Sequence, residues 1–112
     1  MTAYKTSLLA TAAAIALAGP VAAAGSCDTV TFSDVGWTDI TSTTAATSIV
    51  LNALGYKTET KILSVPVTYA SMAEGNIDVF LGNWMPTMEG DIATYRAAGT
   101  VDTVRTNLTG AK

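Results

Sequence analysis

Histidine is absent from this chain, and cysteine occurs once, at Cys27. The first absence removes the commonest general base and the commonest metal ligand. An odd cysteine in an oxidising compartment implies a partner elsewhere or a free thiol. Basic residues are also scarce, with six Lys and Arg against nine Asp and Glu. That balance argues against nucleic acid, which needs clustered cations to neutralise phosphates. No Gly-rich phosphate loop, Gly-x-Ser-x-Gly elbow or Cys/His cluster is present. Nothing in the sequence gives a reason to expect catalysis, a cofactor or a metal. Long apolar runs are missing too. Leu8 to Leu17 is the clearest, and it is too short for a bilayer, which needs about 20 apolar residues.

That apolar run has a different use. Lys5 precedes it and Ala22-Ala23-Ala24 follows, the layout of a secretion signal with a small-residue cleavage site. Residues 1–24 are therefore expected to be a signal peptide and 25–112 the exported chain, with no membrane span once the signal is removed. Ala24-Gly25-Ser26 before Cys27 also admits a lipoprotein signal, but the large aliphatic residue three places before the cysteine is missing. About half the alanines belong to the leader, so overall hydropathy overstates that of the exported part. With Lys5 gone, five basic residues face nine acidic ones, a net charge of −4. Such a surface suits a soluble protein and does not repel a cation.

The exported part holds at most one modest domain. Thr29 to Phe32 is β-branched and aromatic and predicts a first strand. Thr38 or Asp39 can cap the helix that follows. Ala46, Ile49, Val50, Ala53 and Leu54 are spaced as one apolar stripe of that helix. Its early part, Thr41 to Thr47, has weak helix propensity, and Gly55 provides a left-handed stop. Tyr56 to Leu63 alternates with charged residues, as a strand near a sheet edge does. Val65-Pro66 opens a second helix, with Val65, Tyr69, Met72 and Ala73 on one side. Ile77 to Leu81 is apolar apart from Asp78 and predicts a central parallel strand. Met88 to Ala98 reads as a third helix, with Ile92 and Tyr95 inward. Val101 to Leu108 is mixed.

The order β-α-β-α-β-α predicts an α/β fold with an open parallel sheet and right-handed crossovers. No internal repeat or coiled-coil heptad is visible. Three parallel strands leave two open edges and little helical cover, so the chain is expected to be the front part of a longer two-domain protein.

The two tryptophans occupy matching places. Trp37 follows strand one in Asp34-Val35-Gly36-Trp37, and Trp84 follows strand three in Gly82-Asn83-Trp84-Met85-Pro86. With strand order 2-1-3 these exits are neighbours at the carboxyl edge, where open α/β sheets bind ligands. Two indoles there can face one another across a ligand-sized gap, and an indole face is the best aromatic partner for a quaternary ammonium. A lone tryptophan at a strand end is more often packing, and the matched pair moves the balance towards binding. Asp39 is open to three roles: helix cap, partner for a ligand hydroxyl, or negative charge beside a cation. Asp78 is expected to satisfy backbone groups or to pair with a basic residue. Met85 and Met88 read as packing, and Tyr56, Tyr69 and Tyr95 as core.

Asp34-Val35-Gly36-Trp37-Thr38-Asp39 and Asp78-Val79-Phe80-Leu81-Gly82-Asn83-Trp84-Met85-Pro86 resemble the choline- and glycine-betaine-binding proteins of bacterial ABC importers, nearest to the choline-binding members. The resemblance covers the exported chain. It implies a type II periplasmic binding protein, of which residues 25–112 are the N-terminal part of the first lobe. It implies a monomer that holds a small quaternary ammonium ligand, choline or glycine betaine, in an aromatic box and delivers it to the importer's permease subunits. On that resemblance Trp37 and Trp84 are two walls of the box and Asp39 is the partner of choline's hydroxyl. The remaining box aromatics and the second lobe are missing from the sequence, and a cysteine partner for Cys27 would lie there as well. Other readings are a ligand-sensing segment of a receptor or fused transporter, and a truncated fragment that binds nothing.

Overall fold

The computed structural model describes residues 27–110. The expected leader with its cleavage site, and Lys112, lie outside the described residues. The elements are β1 (Thr29–Asp34), α1 (Thr38–Ala53), β2 (Lys57–Ile62), α2 (Val65–Ala73), β3 (Val79–Phe80) and α3 (Glu89–Ala97). The three strands form one parallel sheet, as the sequence predicts, and their order is β2-β1-β3, the order under which the two tryptophan exits are neighbours. Among the described residues no helix is long and apolar enough to cross a membrane.

β1 is the spine. Its last three residues, Phe32, Ser33 and Asp34, are buried between its neighbours. β2 pairs with it over all six residues, from Thr29 opposite Lys57 to Asp34 opposite Ile62. β3 pairs over only two, Phe32 opposite Val79 and Ser33 opposite Phe80. The expected strand from Ile77 is shorter because Asp78 alters the ladder. Its N–H donates to the Thr31 carbonyl at 2.8 Å, while its carboxylate accepts the Thr31 N–H at 2.8 Å. The side chain takes the place of a ladder carbonyl, the backbone role expected for this residue.

Helix α1 differs from expectation in two respects. Neither Thr38 nor Asp39 caps it: Trp37 holds the N-cap position and makes no side-chain cap bond. Asp34 organises the turn instead, accepting the Gly36 N–H at 2.8 Å and the Thr41 hydroxyl at 2.7 Å. The inward face is also not the predicted stripe. Ile40 and Thr44 are buried and Leu51 is half-buried, whereas Ile49 and Leu54 are 70% and 69% exposed. Periodicity identifies an apolar face but not which face meets the sheet. Here Ile40, packed close to Gly82 and Phe80, sets the rotation of the whole helix. In the weak Thr-rich turns, Ser42, Thr43 and Thr47 donate their hydroxyls to carbonyls four residues back. Gly55, at φ +96°, stops the helix as expected, and the Tyr56 N–H closes back on the Leu51 carbonyl at 3.1 Å. Tyr56, expected in the core, is 41% exposed in that turn.

α2 and α3 form the main core. Tyr69, Met88, Ile92 and Val101 are buried together, with Val65, Met72, Phe80, Trp84 and Tyr95 packed around them. α2 is also tied to β1 by a buried hydroxyl pair, Ser33 Oγ and Thr68 Oγ1 at 2.6 Å. Arg96 pairs with Glu89 on the surface of α3. The segment after Val101 has no regular structure up to residue 110.

This packing generates three stability predictions. A Cβ on Gly82 would lie 2.8 Å from the Phe80 ring and 2.9 Å from Ile40 Cγ1. Gly82→Ala is expected to destabilise the chain by about 1–3 kcal/mol through overpacking. Gly90 lies in α3 with nothing within 4 Å of such an atom, so Gly90→Ala should stabilise by up to about 1 kcal/mol. Urea unfolding followed by circular dichroism separates the signs. Thr44 Oγ1 is buried without a hydrogen-bond partner. Thr44→Val keeps the shape and removes the orphan, and it should raise stability by about 1 kcal/mol in the same assay.

Candidate functional site

A cleft of about 770 Å³ opens at the carboxyl edge of the sheet. Three parts of the chain build its walls. The first turns of α1 contribute Asp39, Ile40 and Thr43, α2 contributes Tyr69 and Met72, and the run from Asp78 to Met85 contributes Trp84. The segment from Val101 to Gly110 lies along the remaining side, pinned where Asn107 Nδ2 donates to the Leu81 carbonyl at 3.0 Å. The size falls within the range of small-molecule sites, about 300–1,000 Å³.

Trp84 and Asp39 share this cleft, although they are 45 positions apart in the sequence. Trp84 is half-buried, with its indole against the α2–α3 core. Its backbone N–H donates to Met88 Sδ at 3.3 Å, and its carbonyl accepts the Met88 N–H at 2.9 Å. Asp39 sits in the exposed first turn of α1, where helix N-termini favour negative charge. Among the described residues its carboxylate has neither a capping bond nor a salt bridge. Of the three roles open to it in the sequence, capping is therefore not the one it plays here.

Trp37 is placed differently. Its carbonyl accepts the Thr41 N–H at 2.8 Å, its side chain is 42% exposed, and it is not among the residues that line the cleft. It stands two residues from Asp39, at the exit of β1. The structure thus brings together two of the three residues singled out in the sequence and leaves the third beside them.

Two cleft residues were not legible as such. Tyr69 is buried as expected of a core residue, yet it also lines the cleft, and its hydroxyl donates to Asn83 Oδ1 at 2.7 Å. Asn83 lines the cleft next to Trp84. The partners are 14 positions apart and meet only because α2 packs under β3, so no local pattern could have paired them. Burial and the nearby negative charge of Asp91 push the Tyr69 phenol up to about 12, so it remains a protonated donor at neutral pH.

The local charge is acidic, with Asp39, Asp78 and Asp102 at the cleft and Arg105 opposing them. The Asp78 carboxylate is engaged by Thr31, whereas Asp39 is the acidic residue that the α1 wall contributes. Among the described residues no group of three His, Cys, Asp or Glu is placed to hold a metal ion. An aromatic face, a free carboxylate and an open mouth can hold a small organic cation.

The chain is similar to proteins of one transport family. Residues 28–112 match the family model OpuAC, the substrate binding domain of ABC-type glycine betaine transport systems. An uncharacterized protein, ORF1, of Chromohalobacter salexigens is 50% identical over 94 residues, which are 83% of this chain and 61% of that protein. A solved ABC-transporter choline binding protein in complex with choline is 67% identical, with a TM-score of 0.75, over 76% of this chain and 29% of its own. A second structure of an ABC-transporter choline binding protein, unliganded and semi-closed, is 66% identical with a TM-score of 0.71, over 77% of this chain and 30% of its own. The chain spans under two thirds of the curated relative and under a third of the solved ones. Its parallel three-stranded sheet with alternating helices is the matching fragment of a periplasmic binding protein fold. The chain therefore belongs to the family of substrate-binding domains of ABC-type glycine betaine transport systems.

Proposed function

We propose that this chain forms part of the first lobe of an extracytoplasmic solute-binding protein that takes up choline for an ABC importer. The observation that carries this reading is the meeting of the Trp84 indole and the uncommitted Asp39 carboxylate on one open cleft. Its relatedness to a choline binding protein solved with choline supports the same ligand. Export through residues 1–24, action as a monomer and delivery to the permease subunits follow from the same reading.

The ligand chemistry fits residue by residue. A trimethylammonium group cannot donate ordinary N–H hydrogen bonds, so it is held by charge and by aromatic faces. Trp84 supplies one face within the cleft. Trp37, exposed at the neighbouring strand exit, supplies a second when the ligand is in place. Asp39 accepts the hydroxyl of choline and adds negative charge near the cation. Glycine betaine carries a carboxylate in place of that hydroxyl and would meet like charge at Asp39. Choline is therefore the preferred ligand. The family is one of transport substrate-binding domains rather than a class of enzymes, and no catalytic role is assigned.

The affinity available from two indoles is limited. A desolvated cation–π contact is worth about 2 kcal/mol and an exposed one about 0.5–1 kcal/mol. Two walls thus supply at most ~4 kcal/mol, which corresponds to about millimolar binding. Tighter binding requires further walls and closure of a second lobe. For residues 25–112 alone, tryptophan fluorescence titrated with choline should half-saturate at about 1 mM or above. Trp84→Ala should abolish the response and Trp37→Ala should weaken it. Micromolar affinity by calorimetry would overturn the two-wall account, and a response unaffected by either substitution would overturn the site. Asp39→Asn should weaken choline roughly fivefold, the loss of about 1 kcal/mol from an exposed charged acceptor. Tetramethylammonium, which lacks the hydroxyl, should lose less. Stronger binding of glycine betaine than of choline by the unsubstituted chain would remove the preference for choline.

A further inference from the structure

Trp84 lies in a stretch with no secondary structure of its own, between the end of β3 and the turn that leads into α3. An indole on such a segment has to be aimed by something outside it. We infer that Tyr69 is a positioning residue for Trp84, acting through Asn83 and Met88 to hold the indole in the pose in which it lines the cleft.

The geometry runs from a fixed ring to a loop. Tyr69 is 1% exposed and its ring is held from two sides. Phe80 meets it edge-on at 5.8 Å, and Tyr95 stacks on it at 6.3 Å. The phenol oxygen is therefore a stationary point on α2. Its proton goes to Asn83 Oδ1 at 2.7 Å, on the residue preceding Trp84. The same oxygen lies 3.4 Å from Met88 Sδ, the sulfur that receives the Trp84 backbone N–H at 3.3 Å. One hydroxyl thus meets the loop at the side chain before the indole and at the acceptor of the indole's own backbone. The loop is also held by the Asn107 bond to Leu81, by the Met88 N–H on the Trp84 carbonyl, by the Glu89 N–H on the Pro86 carbonyl and by the packing of the indole on the core. A segment with few anchors opens locally when one is lost. Tyr69 touches no ligand in this scheme. It sets the wall that does.

The inference rests on the proposed choline site only in its affinity arm, and the decisive test needs no ligand. In a Trp37→Phe background Trp84 is the single tryptophan, excited selectively beyond the red edge of tyrosine absorption. Adding Tyr69→Phe keeps the ring and its packing while removing the donor. The ligand-free emission maximum should move to the red, and acrylamide quenching should rise by about twofold or more as the loop opens. Tyr95→Phe, which alters a neighbouring ring with no hydroxyl bond, should change neither. Asn83→Ala should reproduce the effect, and the double variant with Tyr69→Phe should add little, as expected of two residues acting through one bond. Should Tyr69→Phe fail to fold by circular dichroism, Asn83→Ala at its half-buried site carries the same reading. Unchanged quenching in both variants, or an equal change in Tyr95→Phe, overturns the inference.

The second arm retains Trp37 and titrates choline, with Tyr69→Phe expected to weaken the response severalfold. If quenching rises in Tyr69→Phe but the unsubstituted chain never responds to choline, the positioning role stands and the choline reading fails. If quenching is unchanged, the positioning role fails whatever choline does.

Discussion

The contact on which the candidate site depends is the narrow seam between β1 and β3. Only Phe32–Val79 and Ser33–Phe80 are paired there, and the reciprocal bonds between Thr31 and Asp78 extend the seam by one step. Everything at the carboxyl edge is referred to it. It places the exit of β1, with Trp37 and Asp39, beside the exit of β3, with Trp84. A carboxylate standing in for a ladder carbonyl is a compact solution where a strand is too short to pair with backbone alone. It also explains why a charged residue interrupts an otherwise apolar strand. With both backbone groups of Thr31 satisfied, the strand can leave the ladder directly into the glycine at Gly82.

Much of the architecture was legible because it follows from period and punctuation. The order of elements, the glycine stop at Gly55, the parallel strands and the inward faces of α2 and α3 all came from patterns a few residues long. The failures share a physical cause. The apolar stripe of α1 was real, but Ile40 is wedged close to Gly82 and Phe80, some forty positions away, and that contact turned the stripe outward. Asp39 seemed a good cap by its position, yet Asp34 sits one turn earlier with its carboxylate already buried and aimed at Gly36 and Thr41. Tyr69 read as core and is core, but its hydroxyl finds Asn83 only after two helices and a strand have docked. Local patterns report what a segment can bury, whereas partners across the fold decide which residues are buried and which are free.

Freed from capping, Asp39 gains chemical significance. An acidic residue in the first turn of a helix is stabilised by the helix dipole without spending its oxygens on backbone donors. It therefore remains an available acceptor at the mouth of the cleft. Asp78 is the opposite case, since it lines the same cleft while its carboxylate is committed to Thr31. Two like charges near one cavity thus have separate tasks, one structural and one open to a ligand. Composition alone would have counted them equally.

The same division runs through the aromatics. Phe80 and Tyr95 hold Tyr69, Tyr69 holds the loop, and the loop carries Trp84. The most buried ring, Tyr69, stands between two half-buried rings and the half-buried indole that lines the cleft. That support matters for a site whose attraction to a cation is shallow. Cation–π energy falls from about 2 kcal/mol to about 0.5–1 kcal/mol as the face becomes exposed, and ordering a loose side chain costs about 0.5–1.5 kcal/mol. An indole that had to be immobilised on binding would lose much of what it contributes. One already fixed from behind by a buried phenol and a thioether keeps nearly all of it. On the proposed site, preorganisation of Trp84 therefore sets how much of its attraction to a cation is kept, and Trp37 stands exposed and outside the cleft lining.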